Sequence, residues 1–166
     1  MPIIKDPNVD YRDQKLTMGI RTITPFRGMF AVVDKLRKEL NQWLKENDVE
    51  IAGPFFLRYH VIDMAGDMNI EFGVQVAAHV PGNERVTADI LPAGRYANLT
   101  YVGSGMTGNK TLIQWARDNE LPWDRWDDER GDGFRCRYEA YLTDPQIEHR
   151  KTKWEIDLAI KLAEEQ

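Results

Sequence analysis

The chain has 166 residues, 42% of them hydrophobic and 30% charged, which suits one compact domain with a core of its own. Its 22 Lys and Arg against 27 Asp and Glu leave a net charge of -5, which argues against the basic face of a direct nucleic-acid binder. No apolar run reaches the roughly 20 residues that span a bilayer, the first residues lack the charged-then-apolar pattern of a signal peptide, and the single Cys136 has no partner for an internal disulfide. The expectation is a soluble cytoplasmic protein, monomer or homodimer, without membrane contact.

Residues 16–24 alternate, with Leu16, Met18, Ile20 and Thr22 on one face, and predict a strand. Thr24-Pro25 reads as a helix start. From there to Asn47 the apolar residues Met29, Val33, Leu36, Leu40, Trp43 and Leu44 form one stripe of an amphipathic helix. Two strands follow, at 55–62 and 69–77, around the turn Ala65-Gly66-Asp67. After Pro81-Gly82-Asn83 the pattern restarts. Strands are predicted at 85–91 and 95–102, and a helix near 110–120 behind a glycine-rich stretch. A loop rich in Trp and Asp at 122–133 comes next, then a strand at 134–142 closed by Asp144-Pro145, and a last strand at 152–160.

Three matches recur in the same order. Leu40-Asn41-Gln42-Trp43 resembles Leu112-Ile113-Gln114-Trp115, Arg58-Tyr59-His60 resembles Arg137-Tyr138-Glu139, and Ile70-Glu71 resembles Trp154-Glu155. They imply an internal repeat within a single domain spanning 1–166, with one copy at about 8–80 and the other at about 84–163. The predicted class is α+β. Two strand-helix-strand-strand units are related by a pseudo-two-fold axis, with two long helices and an antiparallel sheet curved around a central cleft. Each helix is expected on one sheet face, with the opposite faces looking across the cleft.

The strand at 134–142 carries the chemistry. Alternation puts Phe134, Cys136, Tyr138, Ala140 and Leu142 on one side, and Arg135, Arg137, Glu139 and Tyr141 on the other. That second face is either a solvated charge ladder or the wall of a pocket in which Glu139 anchors a ligand. The repeat makes His60 the partner of Glu139, with Phe56 and Ile62 on its face. Tyr141 and Tyr101 are further candidates for the wall, while Tyr59 and Tyr138 are expected in the core on the helix side. Trp123 and Trp126 are either loop anchors or a lid. Glu71 and Glu155 are expected as structural or rim carboxylates.

The residues Ile90-Leu91-Pro92-Ala93-Gly94-Arg95-Tyr96-Ala97, Leu112 to Trp115, Tyr138-Glu139-Ala140-Tyr141-Leu142-Thr143-Asp144-Pro145 and Trp154-Glu155-Ile156 together resemble the GyrI-like small-molecule-binding domain family. The resemblance covers nearly the whole chain. It implies a duplicated strand-helix-strand-strand fold, used by some bacterial regulators as an effector-binding domain, here without a helix-turn-helix and so as a stand-alone member. It also implies a central pocket in which Glu139 meets a small hydrophobic, aromatic or cationic ligand. Three functions follow from it. One is sequestration or sensing of toxic compounds, in the manner of a multidrug-binding module. A second is detoxifying hydrolysis of strained cyclopropane-type DNA alkylators, with Glu139 as general base and a Tyr or His60 as acid partner. The third is interaction with DNA gyrase as an inhibitor. The chain departs from the family in its first half, where His60 stands at the matching place, and in its glycine-rich helix start.

Gly103-Ser104-Gly105-Met106-Thr107-Gly108 fits the spacing of a dinucleotide loop. No parallel strand with a ribose-binding acid follows it, so no cofactor is expected. His60, His79 and His149 are scattered without paired ligand spacing, so no metal is expected either.

Overall fold

Residues 3–164 are described by a computed structural model. The alternating segment at 16–24 lies within strand β2 (Lys15–Pro25), which is preceded by β1 (Ile3–Arg12). Helix α1 (Met29–Glu46) follows, then β3 (Ile51–Ile62) and β4 (Asp67–Val76). The second half runs β5 (Val86–Leu91), β6 (Gly94–Val102), α2 (Gly105–Asp118), β7 (Arg125–Asp128), β8 (Gly131–Phe134), β9 (Arg137–Tyr141) and β10 (Glu155–Lys161).

The strands pair antiparallel in the order β1-β6-β10-β9-β3-β4-β2-β5. Exchanging β1 with β5, β2 with β6, β3 with β9 and β4 with β10 turns this order into its own reverse, which is the signature of a pseudo-two-fold axis between β3 and β9. The fold is therefore α+β with duplicated units around one antiparallel sheet. Each unit also has a leading strand, β1, which the sequence did not announce, and β5, which answers to the strand predicted at 85–91, and each pairs with the opposite unit. The β7–β8 hairpin stands beside β3 in the segment expected as a loop.

Strand β1 went unpredicted because Ile3–Arg12 is charged, holds Pro7 and lies at a sheet edge with register shifts, so it has no alternation to read. Arg12 pins it. The guanidinium makes two bonds to Asp157, at 2.7 and 3.2 Å, donates to the Tyr138 hydroxyl at 2.8 Å, and lies over the Tyr96 ring.

Helix α1 buries the predicted stripe of Met29, Val33, Leu36, Leu40, Trp43 and Leu44. It starts later than expected: β2 continues to Pro25, and Gly28, at φ 81°, occupies the N-cap in the left-handed region. Helix α2 is capped by Ser104, whose hydroxyl accepts from the Thr107 amide at 3.2 Å. Its glycines serve close packing, since a Cβ on Gly108 would lie 2.7 Å from the Tyr101 ring. Gly108→Val is expected to cost about 1–3 kcal/mol by overpacking, read as a lower urea midpoint with unchanged m-value.

One apolar cluster forms under each helix, around Leu40, Phe72 and Ile70 in the first half and Leu99, Leu112 and Leu158 in the second. A third, with Phe56, Tyr96, Cys136, Tyr138 and Ala159, backs the other face of the sheet. Cys136 is fully enclosed there, and burial pushes its thiol pKa up, as fits an inert thiol.

Candidate functional site

Leu57 and Glu139 are register partners across the β3–β9 seam and so share a face. Leu57 packs in the cluster beneath α1, and Glu139 accepts a hydrogen bond from Asn109 of α2. Both helices therefore lie on the same side of the sheet as Glu139, and a cavity of about 680 Å³ opens between them. This corrects the expectation of a cleft on the helix-free face. Tyr59, expected as core, is part of the wall for the same reason.

Glu139 sits on this wall at 6% exposure. Asn109 Nδ2 donates to one carboxylate oxygen at 3.2 Å and the Tyr59 hydroxyl to the other at 3.4 Å. The Tyr101 hydroxyl acts on it as a third donor. Burial dominates and pushes the Glu139 pKa above the ordinary carboxylate value, against the pull of these donors and of Arg137. The same burial, with the Glu139 charge beside them, raises the Tyr59 and Tyr101 phenols.

Two arginines complete the polar lining. Arg137 Nη2 donates to Asn109 Oδ1 at 2.7 Å, so one asparagine bridges Arg137 and Glu139. Its guanidinium lies 4.7 Å from the Phe134 ring centroid, and its buried Nε has no hydrogen-bond partner. Burial lowers its pKa. Arg37 of α1 stands among three rings, Phe72, Tyr141 and Trp154, at 5.2–5.4 Å from their centroids. Asp34 holds it at 3.4 Å and accepts Lys151 at 2.9 Å. At the mouth, Phe30, Met64 and Met106 are exposed apolar side chains.

Of the residues expected at the site, Glu139, Tyr141, Tyr101 and Ile62 line the cavity. Ile62 reaches it because a register shift between Tyr59 and Val61 returns it to the face of Tyr59. Phe56 does not reach it. It faces the other way and packs edge-on against Tyr138. Trp123 bridges to Leu162 and packs against the second core, and Trp126, 45% exposed, stands on the outer hairpin, so neither covers the mouth. Arg135 leaves the face of Glu139 because the chain bends between β8 and β9.

His60 lies on the sheet face opposite Glu139. Arg58 pairs with Tyr138 and Leu57 with Glu139, so matching His60 to Glu139 by sequence was shifted by one residue. Its Nε2 is 2.8 Å from Oε1 of Glu71, which is fully buried, and burial holds its pKa below the ordinary histidine value. Ligand atoms of His60, Glu71 and Asp89, on three different strands, come within 4.8 Å of one another, a grouping that sequence spacing could not disclose. Arg58, 3.7 Å from Asp89, already supplies a cation there.

Sequence reasoning missed Arg37, Asn109 and Trp154 as lining. A signal existed on the helices. Phe30, Val33, Asp34 and Arg37 have the same spacing as Met106, Asn109, Lys110 and Ile113, and each set runs along the edge of its helix's core stripe, sharing Val33 with it in α1.

Comparison with known proteins agrees with this fold. No curated protein sequence matches. The EcmrR C-terminal domain superposes with a TM-score of 0.73 at 14% identity, over 98% of this chain and 100% of that one. EcmrR in complex with DNA gives 0.76 at 15% identity, and this chain spans only 59% of its length. A hydrolase from Listeria innocua gives 0.62 at 12% identity over 98% and 93% of the two chains. SAV2435 bound to tetraphenylphosphonium gives 0.57 at 8% identity over 95% and 94%. At these identities the likeness is one of fold. A family model described as GyrI-like small molecule binding domain matches residues 6–163, nearly the whole chain, and the protein belongs to the GyrI-like small-molecule-binding domain family.

Proposed function

We propose that the protein binds a hydrophobic, ring-bearing small molecule in the cavity between α1 and α2, and sequesters or senses it. The observation that carries this reading is Glu139: a carboxyl group buried at 6% exposure on the wall of a space of about 680 Å³, held by Asn109 and Tyr59. A cavity of that size suits a drug-sized compound, and a few convergent polar groups among apolar walls fix its orientation. The exposed Met64 and Met106 at the mouth give an adaptable apolar rim.

A second reading is hydrolysis, favoured by the raised pKa of Glu139 beside two phenols. Glu139 takes a proton from water as the water oxygen adds to a carbon of a strained electrophilic ring. The ring carbon–carbon bond breaks, and its electron pair is protonated by the hydroxyl of Tyr59 or Tyr101. His60, across the sheet, has no part in this step.

Glu139→Gln separates the two readings. Neutral and charged aromatic dyes are titrated by fluorescence, and cyclopropane-bearing alkylators are followed by mass spectrometry. Saturable binding without product, with affinity changed about tenfold or more in the variant, supports the binding module. Product formation lost in the variant supports the hydrolase. Binding and turnover both unchanged by the variant overturn the site. The variant has a second expected effect. A carboxyl group whose pKa is raised on folding contributes stability that is present below its unfolded value near 4.5 and is lost as pH climbs toward the folded value. Glu139→Gln is therefore expected to melt a few degrees higher than the parent at pH 8, and no higher at pH 4.

A further inference from the structure

An aromatic box can take an organic cation only if no other cation already fills it. In this cavity the box of Phe72, Tyr141 and Trp154 is filled by the protein's own Arg37, centred 5.2–5.4 Å from all three rings. We propose that the cavity selects organic anions, an aromatic or aliphatic body carrying a carboxylate or sulfonate, and rejects organic cations; this rests on the cavity being a binding site as proposed above.

Charge on the wall points the same way. Arg37, Lys110, Arg137 and Lys151 line it against the carboxylates Asp34 and Glu139. Asp34 is neutralised by Arg37 and Lys151, and Glu139, held by Asn109 and Tyr59, stands beside the Arg137 charge. Two of the four cations, Lys110 and Arg137, keep capacity for an anion. Lys110, exposed on α2 at the mouth, has no ion-pair partner among the described residues. Arg137 has a buried Nε–H without an acceptor. The guanidinium lines the cavity and donates to the neutral Asn109, so an anionic oxygen in the cavity is the partner that suits it best. A cationic guest would meet like charge from Arg37 and Arg137, with Asp34 already neutralised.

Tetraphenylborate and tetraphenylphosphonium have nearly the same shape and opposite charge, so titration calorimetry of the full chain with each isolates the sign. Tetraphenylborate is expected to bind at least about tenfold more tightly, with the preference shrinking as salt is added. Arg37→Met empties the box and is expected to raise tetraphenylphosphonium affinity about tenfold. Lys110→Glu, at an exposed helix position that leaves the fold intact, is expected to weaken tetraphenylborate binding. Equal or tighter binding of tetraphenylphosphonium by the parent chain overturns the anion preference while leaving cavity binding in place. So does an Arg37→Met variant with unchanged affinity for it. If neither ion nor the neutral dye N-phenyl-1-naphthylamine binds saturably, the cavity-binding reading falls, and the anion preference with it.

Discussion

Phe72→Ala is expected to destabilise the protein by about 3–5 kcal/mol, the range for removing a buried aromatic ring. Phe72 has no exposed surface. It stacks on Phe55 at 5.7 Å, meets Tyr141 at 6.3 Å and carries the Arg37 guanidinium at 5.2 Å. It pairs in register with Leu57 on one side and Ile20 on the other, so three neighbouring strands surround the void that truncation would leave. In a chain of this length the loss corresponds to a melting temperature roughly 10 °C lower. Urea unfolding with an unchanged m-value checks it. Phe72→Leu, which keeps most of the buried volume, is expected to recover most of the loss. A Phe72→Ala effect under about 1 kcal/mol would mean the ring is not packed as described.

His60→Ala is the second large effect, about 3–5 kcal/mol, because it strands a buried acid. Glu71 is fully enclosed; its Oε1 is bound by His60 and its Oε2 has no partner. Removing the imidazole leaves both oxygens without a hydrogen bond. The double variant His60→Ala/Glu71→Ala is expected to lose less than the two single losses added, since neither half of the pair is then stranded. The pH dependence carries a sign of its own. Burial depresses the His60 pKa, so the unfolded chain takes up a proton that the folded chain resists. His60 therefore leaves stability intact above the unfolded histidine value of about 6.5 and removes it as pH falls toward the folded value. His60→Gln is expected to flatten that acid slope. Ligand affinity in the cavity is expected to stay within twofold of the parent, because His60 lies behind the sheet. A tenfold loss of affinity would return His60 to the binding site.

Strong periodicity made much of the fold legible. The α1 stripe and the alternation around Met18, Phe72, Tyr141 and Ile156 were unambiguous because each segment has one buried and one less buried side. Strands β1, β7 and β8 were not legible, since short polar edge segments bury too little to impose a pattern. At the site, alternation alone placed Glu139, Arg137 and Tyr141 on one face. The repeat misled where it was read by residue identity. Arg58-Tyr59-His60 aligns with Arg137-Tyr138-Glu139 by letter, yet the register sets Tyr59, not His60, on the face of Glu139. Ile62 shares that face only through a register shift that no sequence pattern announced. Arg37 was hidden for another reason. A cation beside an apolar stripe reads as solvated, and the three rings it meets come from β4, β9 and the segment leading into β10.

The β3–β9 ladder is short, three register pairs from Phe56↔Ala140 to Arg58↔Tyr138, and Glu139 is its middle rung on one side. A guest lying against that wall sits astride the suture between the two copies and acts as a rivet through it. Occupancy is thereby converted into cohesion of the whole molecule, and a compound that fits is felt as rigidity on both flanks at once.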